Sequence, residues 1–116
     1  MMGRFAEGLV PPYFAVIFAN QLRDPAPGYE AMAERMAALA ETMPGYLGVE
    51  STRDAEGFGL TVSYWESEAA IAHWKKQSDH LAAQDTGMRE WYARYHLRVA
   101  RIERAYAGPD GRPALT

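Results

Sequence analysis

The spacing of hydrophobic residues changes several times along the chain, and each change marks a new element. A run rich in aromatic and β-branched residues over 13–22 predicts a first strand, apolar on both faces from Tyr13 to Ala19. The apolar residues then recur every three or four positions, which predicts one stripe of a helix that ends at Pro44 and Gly45. The members of this stripe are Tyr29, Met32, Met36, Leu39 and Met43.

The rest of the chain adds two strands, a second helix and a last strand, so that each half reads strand–helix–strand. Residues 46–54 and 58–65 predict two strands joined by a hairpin-type turn, and Ser67 is a plausible N-cap for a second helix. Gly87 is expected to interrupt that helix, so that a second helical piece carries Met88, Trp91, Tyr92 and Tyr95, and 97–106 is expected to form the last strand. The order β-α-β-β-α-β predicts an α+β, ferredoxin-like fold: a four-stranded antiparallel sheet with both helices on one face.

The length allows one domain. The chain has 116 residues, too few for two independent cores. We expect a flexible N-terminal segment over 1–11, a single domain over 12–106 and a flexible, Gly- and Pro-rich tail over 107–116. The pattern contains neither a signal peptide nor an apolar run long enough for a membrane span, so a cytoplasmic protein without a membrane partner is expected.

Composition removes several classes of function. The formal net charge of −3 disfavours nucleic acid as a partner, because duplex binding normally needs a basic face. The chain has no cysteine, which excludes disulfides, thiolate metal sites and cysteine nucleophiles. It also has no glycine-rich phosphate loop, nucleophile elbow or His-x-x-x-His pair. No carboxylate completes a metal set with His73 and His80, so no metal is expected.

The first strand also bears on assembly. Two helices cover only one face of a four-stranded sheet, and both faces of this strand are apolar. Leaving one of them in water would expose several hundred Å² of apolar surface, more than a monomer normally tolerates. We therefore expect a homodimer whose sheets face each other. The alternative is that the helices, the long second connection and the tails cover both faces.

Several spaced motifs resemble the antibiotic biosynthesis monooxygenase (ABM) family. They are residues 44–50 (PGYLGVE), 64–67 (YWES), 71–74 (IAHW) and 78–82 (SDHLA). The resemblance covers about Tyr13 to Tyr106 and implies a dimeric α+β barrel with a pocket between each sheet and its helices. Known members include cofactor-independent oxygenases of aromatic polyketides and quinol-like substrates, haem-degrading monooxygenases and proteins with no assigned reaction.

The resemblance implies three hypotheses. The first is a monooxygenase that needs no cofactor and combines dioxygen with a small aromatic or quinol-like compound. The second is haem degradation, and the third is a non-catalytic dimeric module that binds a small molecule. A fold alone does not choose among them.

Cofactor-free oxygenation needs a substrate that ionises to an electron-rich anion, an apolar pocket and a hydrogen bond to the anionic oxygen. Asn20 is the candidate donor, because it ends the strand face that carries Phe14, Val16 and Phe18. The alternative is a strand-end amide that bonds local backbone. His80 is the candidate base, since the pKa of neutral imidazole suits a phenolic proton; the alternative is an exposed, idle histidine.

Four aromatic residues are candidates for substrate contact. Trp74 lies on the apolar stripe of the second helix, and Phe18 precedes Asn20 on the same strand face. Tyr64 and Trp65 point to opposite faces of their strand, so one is expected on the helix side and the other toward a partner. For the tryptophans and Tyr64, plain packing is the alternative.

Haem remains the second hypothesis. Haem-degrading members resemble this chain in an Asn on the first strand, here Asn20, and a Trp on the second helix, here Trp74. Their ligating histidine follows that Trp by about ten residues, where this chain has Gln84 and Asp85, which do not suit haem iron. His80 comes more than one helical turn too early.

Overall fold

The computed structural model describes residues 4–84 and 88–109. Its elements follow the order expected from the sequence, and the second helical piece expected before the last strand is a short helix. They are β1 (Tyr13–Leu22), α1 (Tyr29–Glu41), β2 (Tyr46–Arg53), β3 (Phe58–Trp65), α2 (Glu68–Gln84), α3 (Met88–Trp91) and β4 (Tyr92–Ile102). Gly87 and residues 110–116, where a helix break and a flexible tail were expected, lie outside the described residues.

The four strands form one antiparallel sheet in the order β2-β3-β1-β4. The first strand is central because it pairs with β3 on one side and with β4 on the other. The predicted ferredoxin-like arrangement is confirmed, with its two longest helices on one face. No helix among the described residues has the length and apolar character needed to cross a membrane.

The last strand begins earlier than its sequence pattern indicated. The sequence places Trp91, Tyr92 and Tyr95 at helical spacing, but the helix ends at Trp91 and the strand begins at Tyr92. Pairing decides the outcome, because Tyr92 and Tyr95 lie opposite Leu22 and Asn20 of β1. The strand also ends at Ile102, so the prediction of a strand over 97–106 was wrong at both ends.

The core lies between the sheet and the two long helices. Val16, Met43 and Trp65 form a buried cluster, and half-buried side chains from α1, α2 and β2 pack against it. These are Leu39, Tyr46, Ala70, Ile71 and Trp74. The even-numbered residues of β1 therefore face the helices, and we call this the helix side of the sheet; the other side is the open face.

Two local features fix the helices against the sheet. Gly45, at φ +86°, brings the end of α1 so close to α2 that a Cβ there would lie 2.6 Å from Cβ of Ala70. The carbonyl of Gly45 accepts a hydrogen bond from the Glu66 amide at 2.8 Å, just before α2 begins. Ser67 acts as the expected N-cap, accepting a bond from the Ala70 amide at 3.1 Å.

The N-terminal segment reaches the open face. The amide of Ala6 donates to Oε2 of Glu50 at 3.1 Å, and the Ala6 side chain lies against Gly48. The Tyr64 hydroxyl donates to the other Glu50 oxygen at 2.6 Å. Part of the segment predicted to be flexible thus lies on the sheet, while Phe58 and Leu60 of the same face remain 50% and 38% exposed.

Candidate functional site

Asn20 is a buried amide on the helix side of the sheet. Its residue is 2% exposed, and its neighbours across the two adjacent strands are Gly59 and Tyr95. The side-chain Nδ2 donates a long hydrogen bond of 3.4 Å to the Phe18 carbonyl. The Oδ1 atom is buried and has no hydrogen-bond partner among the described residues.

An unpartnered buried acceptor destabilises a fold by about 1–3 kcal/mol. Exchanging the amide oxygen and nitrogen would not relieve this cost, because it would set two oxygens against each other at Phe18. The orientation of the amide therefore leaves an acceptor free, while its long bond to Phe18 leaves the nitrogen only weakly engaged. Such an amide can accept from a ligand hydroxyl and donate to a ligand oxygen.

An apolar surface continues from Asn20 along β4. Tyr95, Leu97 and Val99 pair with Asn20, Phe18 and Val16, and so project on the helix side. We call these three residues the β4 strip; they are 48%, 51% and 48% exposed. The strip spans four residue steps, about 13 Å at 3.3 Å per residue. That length matches a flat ligand of two or three fused rings with its polar end at Asn20.

Aromatic rings close the Asn20 end of the strip. The ring of Phe18 makes an edge contact with Tyr92 at 5.3 Å between centroids and a tilted contact with Tyr95 at 5.5 Å. Tyr92 in turn meets the ring of Tyr29, the first residue of α1, at 5.8 Å. Burial raises the pKa of Tyr92 above its ordinary value. The charge of Tyr29 and a hydrogen bond to Tyr29 raise it further. Tyr92 is therefore a neutral phenol in this setting.

Arg53 adds a positive charge to the same end of the sheet. It is the last residue of β2 and lies opposite Gly59, which in turn lies opposite Asn20. Its Nη1 donates to the Gly57 carbonyl at 2.7 Å, and its Nη2 donates to the Tyr29 hydroxyl at 2.8 Å. A Cβ on Gly59 would lie 2.5–2.7 Å from the guanidinium, so only glycine lets Arg53 lie flat over β3.

The candidate residues named from the sequence lie in different parts of the fold. Phe18 lies next to Asn20, whereas Trp65 is opposite Phe14, six residues and about 20 Å along β1. Trp74 stacks on Trp65 with the ring centroids 5.7 Å apart. Phe18 is therefore the candidate nearest to Asn20, whereas Trp65 and the Trp74 ring stacked on it lie toward the other end of β1.

Trp65 and Tyr64 lie on opposite sides of the sheet, as their alternation predicted. Trp65 is fully buried in the core, and its Nε1 donates to Oγ of Ser63 at 2.9 Å. Tyr64 is on the open face, bonded to Glu50, and does not line the space near Asn20. His80 is exposed on α2.

Tyr29, Arg53 and Tyr92 were not singled out by sequence reasoning. Each of them belongs to a segment that the pattern read as an ordinary helix start, strand end or helix continuation. One signal was present: Gly59 lies inside β3, and an isolated glycine inside a strand often marks a close approach of other atoms. The approaching group is Arg53.

Comparison with known proteins agrees with the fold and the motifs. The family model for antibiotic biosynthesis monooxygenases matches residues 19–86, more than half of the chain. The chain belongs to this family. It is 47% identical to the uncharacterized protein YqjZ of Bacillus subtilis (strain 168) over 104 residues, which cover 90% of this chain and 91% of YqjZ.

Solved structures of the same fold are more distant in sequence. SnoaB from Streptomyces nogalater, a cofactor-independent oxygenase, superposes with a TM-score of 0.64 at 13% identity, covering 86% of this chain and all of SnoaB (100%). Rv0793 from Mycobacterium tuberculosis gives a TM-score of 0.63 at 17% identity, covering 84% of this chain and 99% of that protein. At these identities the likeness concerns the fold.

The donor set of this ABM-family chain does not fit haem. His96 pairs with Ala19 and so lies on the open face, while His73 and His80 are exposed on α2. No histidine of the described residues therefore projects from the helix side of the sheet, where a haem between sheet and helices would need its ligand. No group of three His, Asp or Glu side chains in the described residues is arranged to hold a metal ion.

Proposed function

We propose that this protein is a cofactor-independent monooxygenase of a small aromatic or quinol-like compound that binds along the β4 strip. The observation that carries the proposal is the buried, unpartnered Oδ1 of Asn20 at the end of an exposed apolar surface. A buried acceptor without a partner lowers the stability of a fold, and it is retained where a donor group of a ligand forms the missing hydrogen bond. The family supports the reaction class, and the strip supports a flat apolar ligand.

In the proposed reaction the substrate supplies the electrons that reduce dioxygen. The ligand hydroxyl donates a hydrogen bond to Oδ1 of Asn20 and gives its proton to a base, for which His80 is the candidate; the amide nitrogen then turns from Phe18 to the resulting oxyanion. The electron-rich carbon then combines with dioxygen. For an activated CH2 group, one oxygen atom becomes the carbonyl and the other leaves with the two hydrogens as water, so no external reductant is required.

Assembly belongs to the same proposal. We propose a homodimer in which the open faces of two sheets meet, because Phe58 and Leu60 on this face remain exposed in the single chain. Pairing through the open face leaves the β4 strip and Asn20 on the opposite side of each sheet. Each protomer then keeps its own ligand site.

The test is oxygen uptake with 1,8-dihydroxyanthrone, whose activated CH2 group would become a carbonyl, corrected for spontaneous oxidation with heat-denatured protein. Asn20→Leu has nearly the same shape but no amide, and its oxygen uptake is expected to fall about 100-fold or more. Ser51→Ala is the matched control: it removes a polar group from the helix side two strands away, where Ser51 and Thr61 hydroxyls bond at 2.7 Å. Equal uptake by Asn20→Leu and wild type would remove the assignment.

His80 as the base is tested separately. His73 is on the same helix and equally solvent-facing, so His73→Ala controls for the loss of an imidazole from α2. We expect His80→Ala alone to lower the rate of oxygen uptake. If both variants keep the wild-type rate, the substrate proton goes elsewhere while the role of Asn20 stands.

A further inference from the structure

We infer that Arg53 recognises an anionic oxygen on the ligand, and that the compounds taken by this site are therefore acidic hydroxyaromatics. The inference rests on the proposed function in one respect: the ligand lies beside Asn20. It adds the chemical class of the substrate and a residue that determines specificity, neither of which follows from the fold.

Arg53 is held rigidly in place by neutral groups. The Gly57 carbonyl and the Tyr29 hydroxyl accept from its two Nη atoms at 2.7 and 2.8 Å. Its Cζ also lies 5.2 Å from the centroid of the Tyr29 ring, within cation–π distance. The guanidinium packs on Gly59, in the space that a Cβ there would occupy. The side chain is thus fixed before any ligand arrives, which lowers the entropy lost on binding.

The charge of Arg53 has no carboxylate partner in the part of the chain that the structure describes. Ion pairs there include Lys75 with Asp79 and Arg101 with Glu103, both of them on the surface. Asp54, next in sequence, accepts instead from the amides of Glu56 and Phe58 in the hairpin. The neutral acceptors around this half-buried cation do not balance its positive charge. An anionic oxygen of a ligand would balance it.

Donor capacity and position agree with this assignment. A guanidinium has five N–H groups, and two of those of Arg53 are used by Gly57 and Tyr29. Arg53, Gly59 and Asn20 form one row across β2, β3 and β1, with the guanidinium folded over the middle strand. The charge and the free amide acceptor are thus about one strand spacing apart, ~5 Å. An aromatic ring with a hydroxyl beside an anionic oxygen matches this pair.

The experiment compares two probes that differ only in a carboxylate: 1-hydroxy-2-naphthoate and 1-naphthol, titrated by calorimetry at neutral pH. We expect wild type to bind the naphthoate about 10- to 100-fold more tightly, and Arg53→Gln to lose this preference while still binding 1-naphthol. Arg53→Lys, which keeps the charge without the planar fork, should be intermediate. Arg101→Gln removes a surface arginine and should keep the wild-type preference.

Gly59→Ala tests the same point without altering the charge. Its new methyl group would displace the guanidinium, so the preference for the naphthoate should fall as in Arg53→Gln. Gly48→Ala is the matched control, since Gly48 is on the open face against Ala6. If Arg53→Gln does not fold, Gly59→Ala and Arg53→Lys decide the question, with far-UV circular dichroism as the check on folding.

The outcomes separate this inference from the proposed function. A preference that survives Arg53→Gln and Gly59→Ala overturns the role of Arg53, and so does equal binding of both probes by wild type. In those cases Asn20→Leu can still weaken both probes, which would leave the site itself intact. If 1-naphthol gains affinity in wild type but not in Arg53→Gln once alkaline pH ionises it, the anionic oxygen recognised is a ring oxygen as well as a carboxylate.

Discussion

The two sides of this sheet combine apolar and polar groups in opposite ways. On the open face the polar side chains near its apolar patch are paired: Glu50 accepts from both Tyr64 and the Ala6 amide. On the helix side Asn20 is more deeply buried than these groups, yet its oxygen has no partner among the described residues. A satisfied polar network beside exposed apolar side chains is typical of an assembly surface, whereas an incomplete buried one is typical of a ligand site.

The largest expected effect is on the core beneath the helices. Trp65→Ala removes the most buried aromatic side chain and its stack on Trp74, and should lower the free energy of unfolding by about 3–5 kcal/mol. Phe58→Ala removes a half-exposed side chain from the open face. It should lower the free energy of unfolding of the separated monomer by less than about 1.5 kcal/mol, which is the contribution of one or two buried CH2 groups. Chemical denaturation of both variants measures the difference, and similar losses would contradict the division of core and open face.

The second prediction concerns assembly. Leu60→Asp puts a charge on the open face, while Leu97→Asp puts the same charge on the comparably exposed β4 strip. Leu60→Asp should weaken the dimer on the order of 100-fold or more, because each protomer would bury an unpaired charge in the interface. Sedimentation across protein concentrations measures it. Leu97→Asp should keep the wild-type mass and lose naphthol binding; the reverse pattern would exchange the roles of the two sides.

A smaller effect of opposite sign is expected at Asn20. Asn20→Leu removes an unsatisfied buried acceptor without changing the shape of the side chain, and should raise the free energy of unfolding by about 1–3 kcal/mol. The same variant is expected to lose activity, as at other sites where function is kept at a cost in stability. Thermal and urea unfolding give the measurement, and a less stable variant would mean that the amide is satisfied in the folded protein.

The smallest effect is the response to alkaline pH, to which one tyrosine on each side contributes. Burial and the hydrogen bond to Glu50 raise the pKa of Tyr64 above its ordinary value of 10.0, and burial together with Tyr29 raises that of Tyr92. The native state thus holds these protons more tightly than the unfolded chain. Their contribution to stability is complete below pH 10 and is lost as the pH rises toward the native pKa values.

Denaturation between about pH 8 and pH 11 should therefore show stability falling at the alkaline end. Tyr64→Phe and Tyr92→Phe should each make the fall shallower, since phenylalanine does not titrate. An unchanged slope in both variants would place the alkaline loss on other groups.

Much of the fold followed from the sequence because hydrophobic periodicity and the residues that begin or end helices act locally. The apolar stripe of α1, the stop at Pro44 and Gly45, the cap at Ser67 and the opposite orientations of Tyr64 and Trp65 each depend on neighbours within a few residues. The start of β4 was missed for the complementary reason. Tyr92 and Tyr95 have helical spacing, but long-range pairing with β1 outweighs that local preference.

The sequence by itself determined the order of elements, the two faces of each strand and the family, and it singled out Asn20 as a candidate, because alternation and motif spacing are properties of the chain. Only the tertiary structure decided that the Asn20 oxygen is buried without a partner, and that Arg53 lies over Gly59 beside it. These facts arise where β1, β2, β3 and α1 meet. Residues far apart in sequence share an environment there, and the strand register sets which of them become neighbours.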